Sequence, residues 1–179
     1  MERHPIPIGD FSFERSVIAE RWLLLTAGRL GPRAFNSMTI SWGSAGEIWN
    51  KPFFQVVVRP SRYTYGFMES GDSFTLCVLP PELKKAMSLM GSISGRDRDK
   101  AAEAGLTPMA SSLVAAPCYA EAELVVECKK LYWQDLDPSH FLDSSIEANY
   151  PKKDYHRAYF GEIVAVHGTD AWRKRLAKA

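Results

Sequence analysis

Two short stretches hold the residues best suited to grip a ligand. Asn36-Ser-Met-Thr-Ile-Ser-Trp42 sets small hydroxyls and an amide into a segment with strand character. Ser37, Thr39 and Ser41 fall at alternate positions and so share a face, with Met38 and Ile40 on the other. Further on, Arg59-Pro-Ser-Arg-Tyr-Thr64 leaves an apolar run and supplies two guanidiniums and two hydroxyls. Guanidinium forks match phosphate oxygens and hydroxyls complete the shell, so this stretch suits a phosphate. The expected picture is a flat polar ring against the first stretch with its phosphate in the second.

Each stretch also has a plainer reading. Hydroxyls in a strand can form its solvated face, and Arg-Pro-Ser-Arg can be a surface turn. Ser94-Gly-Arg-Asp-Arg-Asp-Lys100 reads as a helix start, either simply capped or offering its N–H groups to an anion that Gly95 lets approach. Lys100 either reaches that anion or stays solvated. His156, ahead of the last strand, is either a surface histidine or a group beside the ring. His4, His140 and His167 have no ligand-like spacing, so no metal is assigned. The absence of a Ser/His/Asp or paired-carboxylate set points away from a hydrolase.

Composition narrows the classes further. The 179 residues suit one domain over 1–179, with a core from about 20 to 168, and 46% apolar residues are enough to build it. A formal charge of +1, from 22 basic and 21 acidic residues, argues against a nucleic-acid partner bound through a basic face. The basic tail Trp172-Arg-Lys-Arg-Leu-Ala-Lys178 reads as a frayed, solvated end. Three cysteines without Cys-x-x-Cys spacing fit a reducing compartment; Cys77 and Cys128 read as small core residues and Cys118 as a loop residue. There is no signal-type apolar core at the start, and no run approaches the roughly 18 apolar residues of a membrane span. A soluble, cytoplasmic protein is expected.

The elements that must position these residues are mostly strands. Trp22 to Ala27, Asn36 to Ser41, Phe53 to Val58, Ser73 to Leu79, Tyr119 to Leu131 and Ala158 to His167 carry strand signals. Gly43 to Asn50 reads as a polar connection. Ser61 is the expected N-cap of a short helix stopped by Gly71. Leu83, Ala86, Met87 and Met90 give a second helix closed by Gly91. A third opens at Ser94 and ends before Gly105. In Tyr119 to Leu131, Ala122, Leu124, Val126 and Cys128 alternate with Glu121, Glu123, Val125, Glu127 and Lys129, the pattern of a sheet with one wet face. Strands without regular helix alternation point to a mainly β antiparallel barrel with short helices in its connections, and no Gly-x-Gly-x-x-Gly follows the first strand.

Taken together and in order, these motifs resemble the flavin reductase-like proteins of the FMN-binding split-barrel superfamily, in particular the flavoredoxin type. The residues that carry the resemblance are Asn36 to Trp42, Arg59 to Thr64, Gly71-Asp-Ser-Phe74 and Gly91-Ser-Ile-Ser-Gly-Arg-Asp-Arg-Asp-Lys100. Glu127-Cys128 and Gly161-Glu-Ile-Val164 sit where the family has two late strands, so the likeness spans about residues 20 to 166. It implies a six-stranded Greek-key split barrel that forms a homodimer with one FMN per subunit near the interface.

By position, Asn36, Ser37, Met38, Thr39, Ile40, Ser41 and Trp42 would serve the isoalloxazine side, Trp42 either stacking near the ring or filling the dimer seam. Arg59, Ser61, Arg62 and Thr64 would hold ribityl and phosphate oxygens, with Tyr63 among the binding residues. Ser94, Gly95 and Lys100 would close over the phosphate. His156 is the one candidate beside the ring, and no side chain need act as acid or base, because flavin carries the redox chemistry. NADH or NADPH would be the electron donor and free flavin or another small molecule the acceptor, unless the chain is an electron carrier serving a partner protein. Gly43 to Asn50 and Leu136 to Lys153 are expected to border the ring and set the substrate.

Overall fold

A computed structural model describes residues 1–176. The strands are β1 (His4–Pro5), β2 (Leu23–Gly28), β3 (Phe35–Ile40), β4 (Gly43–Ile48), β5 (Lys51–Val58), β6 (Ser73–Val78), β7 (Pro108–Met109), β8 (Cys118–Tyr119), β9 (Leu124–Asp135) and β10 (Arg157–Gly168). Helices α1 (Tyr63–Ser70), α2 (Lys84–Ser92), α3 (Lys100–Glu103) and α4 (Asp170–Leu176) fill the connections. The main sheet is antiparallel and runs β3-β2-β6-β9-β10-β5-β4, with β1 added to the far end of β10.

That order forces the sheet to curl. Seven strands laid flat would hold the outer edges about 29 Å apart. Yet β3 and β4, the two edges, are joined by Ser41 and Trp42 alone. Such a link reaches no further than about 11 Å. The edges must therefore meet, and they do so without pairing to each other, which makes a barrel with a split. Register shifts at Phe160/Gly161 and Ile163/Ala165 give β10 the extra bend.

The interior draws on every long strand. Leu23, Leu25, Phe54, Val56, Phe74, Leu76, Val126, Tyr159 and Ile163 form one buried cluster. Leu24, Cys77 and Val125 point the other way, into a second cluster with Met87 and Met90 of α2. Strands buried on both faces lose the period-two alternation, which is why Leu23, Leu24 and Leu25 are consecutive apolar residues. Gly161 lies at a close approach within the barrel: a Cβ there would come within 2.6 Å of the Phe74 ring and 2.8 Å of Cys128 Cβ.

The six expected strands are present, and several boundaries are corrected. Gly43 to Asn50 is not a polar connection but edge strand β4 with a two-residue turn at Trp49 and Asn50, both at positive φ. β4 pairs with β5 mainly through backbone, with Ser44 Oγ donating to Gln55 Oε1 at 2.9 Å, and leaves most of its side chains exposed, so no apolar alternation marks it. Helix α1 starts after Arg62, with no side-chain cap, and Ser61 is engaged elsewhere. Helix α2 continues through Gly91 to Ser92. Asp99, not Ser94, caps α3, accepting from Ala102 N at 3.1 Å. Tyr119 belongs to β8, and β9 begins only at Leu124.

The expected wet face of β9 is covered at Val125 and Glu127, while Lys129 is exposed. Glu127 is 2% exposed, and its carboxylate accepts from Ser112 N, Ser112 Oγ and Leu113 N at 2.7–2.8 Å. Cys118 is buried like Cys77 and Cys128. The tail is not frayed at Trp172, which is buried against β10 at the start of α4; Lys178 lies outside the described residues.

Candidate functional site at the barrel split

Where the sheet edges meet, a cleft of about 160 Å³ is lined by Met38 to Trp42, Val57, Arg59, Arg62 and His156. β3 brings the first group and pairs only with β2, so among the described residues its other edge leaves backbone N–H and C=O groups without a strand partner. The short connection between β5 and α1 brings Arg59 and Arg62. The segment ahead of β10 brings His156.

The hydroxyls of β3 face inward. Ser37 Oγ lies 2.8 Å from Thr26 Oγ1, its cross-strand partner on β2, and 2.7 Å from Tyr119 OH. Thr39 Oγ1 donates to Met87 O of α2 at 2.5 Å. Only Ser41 of the three is exposed. α2 and β8 thus engage the hydroxyls of Thr39 and Ser37, while Thr39 and Ser41 still line the cleft. Asn36 is buried too, donating from Nδ2 to Thr64 Oγ1 at 2.7 Å.

The basic stretch divides in two. Arg59 Nη1 meets Asp154 Oδ1 at 3.2 Å, and its Nη2 donates to Asn149 O at 2.8 Å. Ser61 Oγ donates to Asp154 Oδ2 at 2.6 Å. One carboxylate thus occupies the guanidinium and hydroxyl that the sequence pattern offers to a phosphate. Arg62 is different: Nη1 contacts Gly91 O at 3.5 Å, and it makes no ion pair among the described residues. Tyr63 packs edge-on against Phe67, with Arg96 over its ring at 5.3 Å.

Asn36, Ser37, Gly95 and Lys100 line a second cavity, about 590 Å³, along the first half of β3. Gly95 is pressed against Asn36; a Cβ would fall 2.1 Å from Oδ1. Lys100 is not solvated: it is 5% exposed and donates to Met90 O at 2.9 Å and Ile93 O at 3.2 Å, at the end of α2. Burial, then the nearby Arg62 charge, lowers its pKa to about 8. Ser94 is exposed, accepting from Arg96 N at 3.3 Å.

His156 is no surface residue. It is 8% exposed, its Nδ1 lies 2.9 Å from Tyr150 OH, and its ring centroid is 5.3 Å from that of Trp42. Burial, helped by Arg59 and Arg62 and opposed by Asp154, lowers its pKa to about 4. The imidazole is neutral at pH 7. Tyr150 and Asp154 are the site residues that local pattern did not expose; the acid-aromatic run Asp154-Tyr-His156 was the available signal.

The sequence matches the family described as "Flavin reductase like domain" over residues 15–175. The chain belongs to that family. Its split barrel is similar to flavoredoxin of Desulfovibrio vulgaris (Miyazaki F), with TM-score 0.65 and 21% identity, over 84% of this chain and 70% of that one. It is also similar to an FMN-binding domain of a flavin reductases-like enzyme from Shewanella baltica OS155, at TM-score 0.67 and 16% identity, over 93% and 77%. An NADH:FAD oxidoreductase of Streptomyces globisporus matches at TM-score 0.62 and 15% identity, over 84% and 76%. No curated protein matches the sequence significantly. No helix among the described residues is long and apolar enough to cross a membrane.

Proposed function

We propose that this flavin reductase-like chain binds FMN at the split and uses it as an NADH- or NADPH-dependent oxidoreductase acting on free flavin or another small acceptor. The observation that carries the reading is the meeting, in one cleft, of the unpaired edge of β3, the unpaired guanidinium of Arg62 and a neutral His156. These donors fit the group. Backbone groups on an open edge can hydrogen-bond the polar rim of a flat ring, and a guanidinium without a carboxylate is ready for a phosphate. When bound, FMN supplies the hydride and electron chemistry. The chain's part is to hold the ring edge on β3, hold the phosphate with Arg62, and keep an uncharged imidazole beside the ring.

The volume favours a homodimer. A cleft of about 160 Å³ is roughly half of the ~300 Å³ that small cofactor sites occupy at the least. A second subunit seated over Trp42, which is 46% exposed beside it, would complete the walls. The three buried free thiols and moderate charge fit a cytoplasmic protein acting on small molecules. An electron carrier without direct nicotinamide use is the second reading, favoured by the likeness to flavoredoxin.

An absorption spectrum of the purified protein, then of the same sample sealed anaerobically with NADH or NADPH, tests both. A flavin band that bleaches supports the oxidoreductase. A band bleached by dithionite alone selects the carrier, and no band after soaking in FMN overturns the cofactor.

A further inference from the structure

Tyr150 and His156 form a buried pair behind the cleft. Tyr150 is 3% exposed, and its OH lies 2.9 Å from His156 Nδ1. The phenol ring is itself clamped. Phe141 stacks on it with centroids 6.0 Å apart, Tyr155 packs at 4.9 Å, and the Arg59 guanidinium sits 5.0 Å from its centroid. On its other side the imidazole meets Trp42. With Nδ1 committed to Tyr150, Nε2 is the ring's remaining polar atom, and His156 is part of the cleft wall.

A neutral imidazole has one N–H and one bare nitrogen, and its partner decides which is which. The bare nitrogen is a far stronger base than a phenol oxygen, so the favoured bond runs O–H to N. That choice leaves the proton on Nε2.

We propose that Tyr150 is a positioning residue: its hydroxyl donates to Nδ1 of His156, holds the imidazole as the Nε2–H tautomer, and so presents a neutral hydrogen-bond donor to a carbonyl or amide oxygen of the ligand in the cleft. The ligand half rests on the flavin reading above. The tautomer half does not.

The test is long-range proton–nitrogen NMR of the 15N-labelled full chain at pH 7, with H156N identifying the His156 signals. The expected spectrum has a protonated-type Nε2 and a bare-type Nδ1. Y150F, which removes one oxygen, should move the Nδ1 shift toward the value of an exchanging tautomer mixture. In FMN-loaded protein, the same variant should raise KM for the hydride donor several-fold with smaller change in kcat. A wild-type Nδ1–H tautomer, or nitrogen shifts that Y150F leaves unmoved, overturns the proposal. Because both spectra are recorded without flavin, failure to bind FMN would sink the flavin reading and leave the tautomer result standing.

Discussion

Asp154 sits against Arg59 with Oδ1 3.2 Å from Nη1, although the two are 95 residues apart in sequence. The pair ties the segment before β10 to the end of β5, and so places His156 in the cleft. Arg59 is thereby ion-paired within the fold, while Arg62, three positions on, makes no ion pair among the described residues.

The two arginines should behave differently on substitution. R62A is expected to leave the unfolding midpoint nearly unchanged and weaken FMN binding about 10- to 100-fold, the worth of a charged hydrogen bond. R59A is expected to cost about 2 kcal/mol of stability, between exposed-pair and buried-pair values. Urea unfolding and FMN titration on both variants check the split. Equal loss of affinity with no loss of stability in R59A would return Arg59 to the phosphate.

Asp154 should contribute to acid sensitivity. Its hydrogen bond from Ser61, then the Arg59 charge, lowers its folded pKa. An unfolded Asp titrates near 3.9, so the unfolded chain takes the proton first. The stabilisation is complete above about pH 4 and is lost as pH falls through the lowered folded value. D154N should flatten stability against pH in that window.

His156 acts over a higher range. Its folded pKa is about 4 against 6.5 when free, so the unfolded chain again binds the proton first. Stability should be full above about pH 6.5 and decline as pH falls toward 4. H156Q should remove that slope in urea midpoints. For the same reason, flavin reduction should show no histidine inflection between pH 6 and 8.

Gly95→Ala tests the link between the two cavities. The added Cβ would lie 2.1 Å from Asn36 Oδ1, so the loop or the amide must shift and disturb the Asn36–Thr64 hydrogen bond. A drop in FMN affinity of about 10-fold is expected, the worth of about 1.4 kcal/mol. Unchanged affinity would remove Asn36 and Gly95 from the binding surface.

Glu127 is a structural carboxylate. E127A would remove the charge-assisted hydrogen bonds that tie the exposed Ser112–Leu113 segment to β9, at a cost of about 2 kcal/mol. Thermal unfolding would show it, with flavin affinity per folded molecule unchanged.

The sequence alone determined the strand-rich class, the six core strands, α1 and α2, and the two stretches that line the cleft, because strand period, turn residues and local side-chain chemistry are written in neighbouring positions. It did not reveal β4, whose pairing runs through backbone and leaves no apolar trace. Nor did it show that Glu127 and Lys100 are buried, since a charged side chain reads as solvated until distant carbonyls or N–H groups are brought to it. Above all, the tertiary structure decided which polar groups remain free. Ser37, Thr39, Arg59 and Ser61 looked ready for a ligand, but Tyr119, Met87 and Asp154 reach them across the fold. Those contacts join residues tens of positions apart, and only barrel closure makes them neighbours.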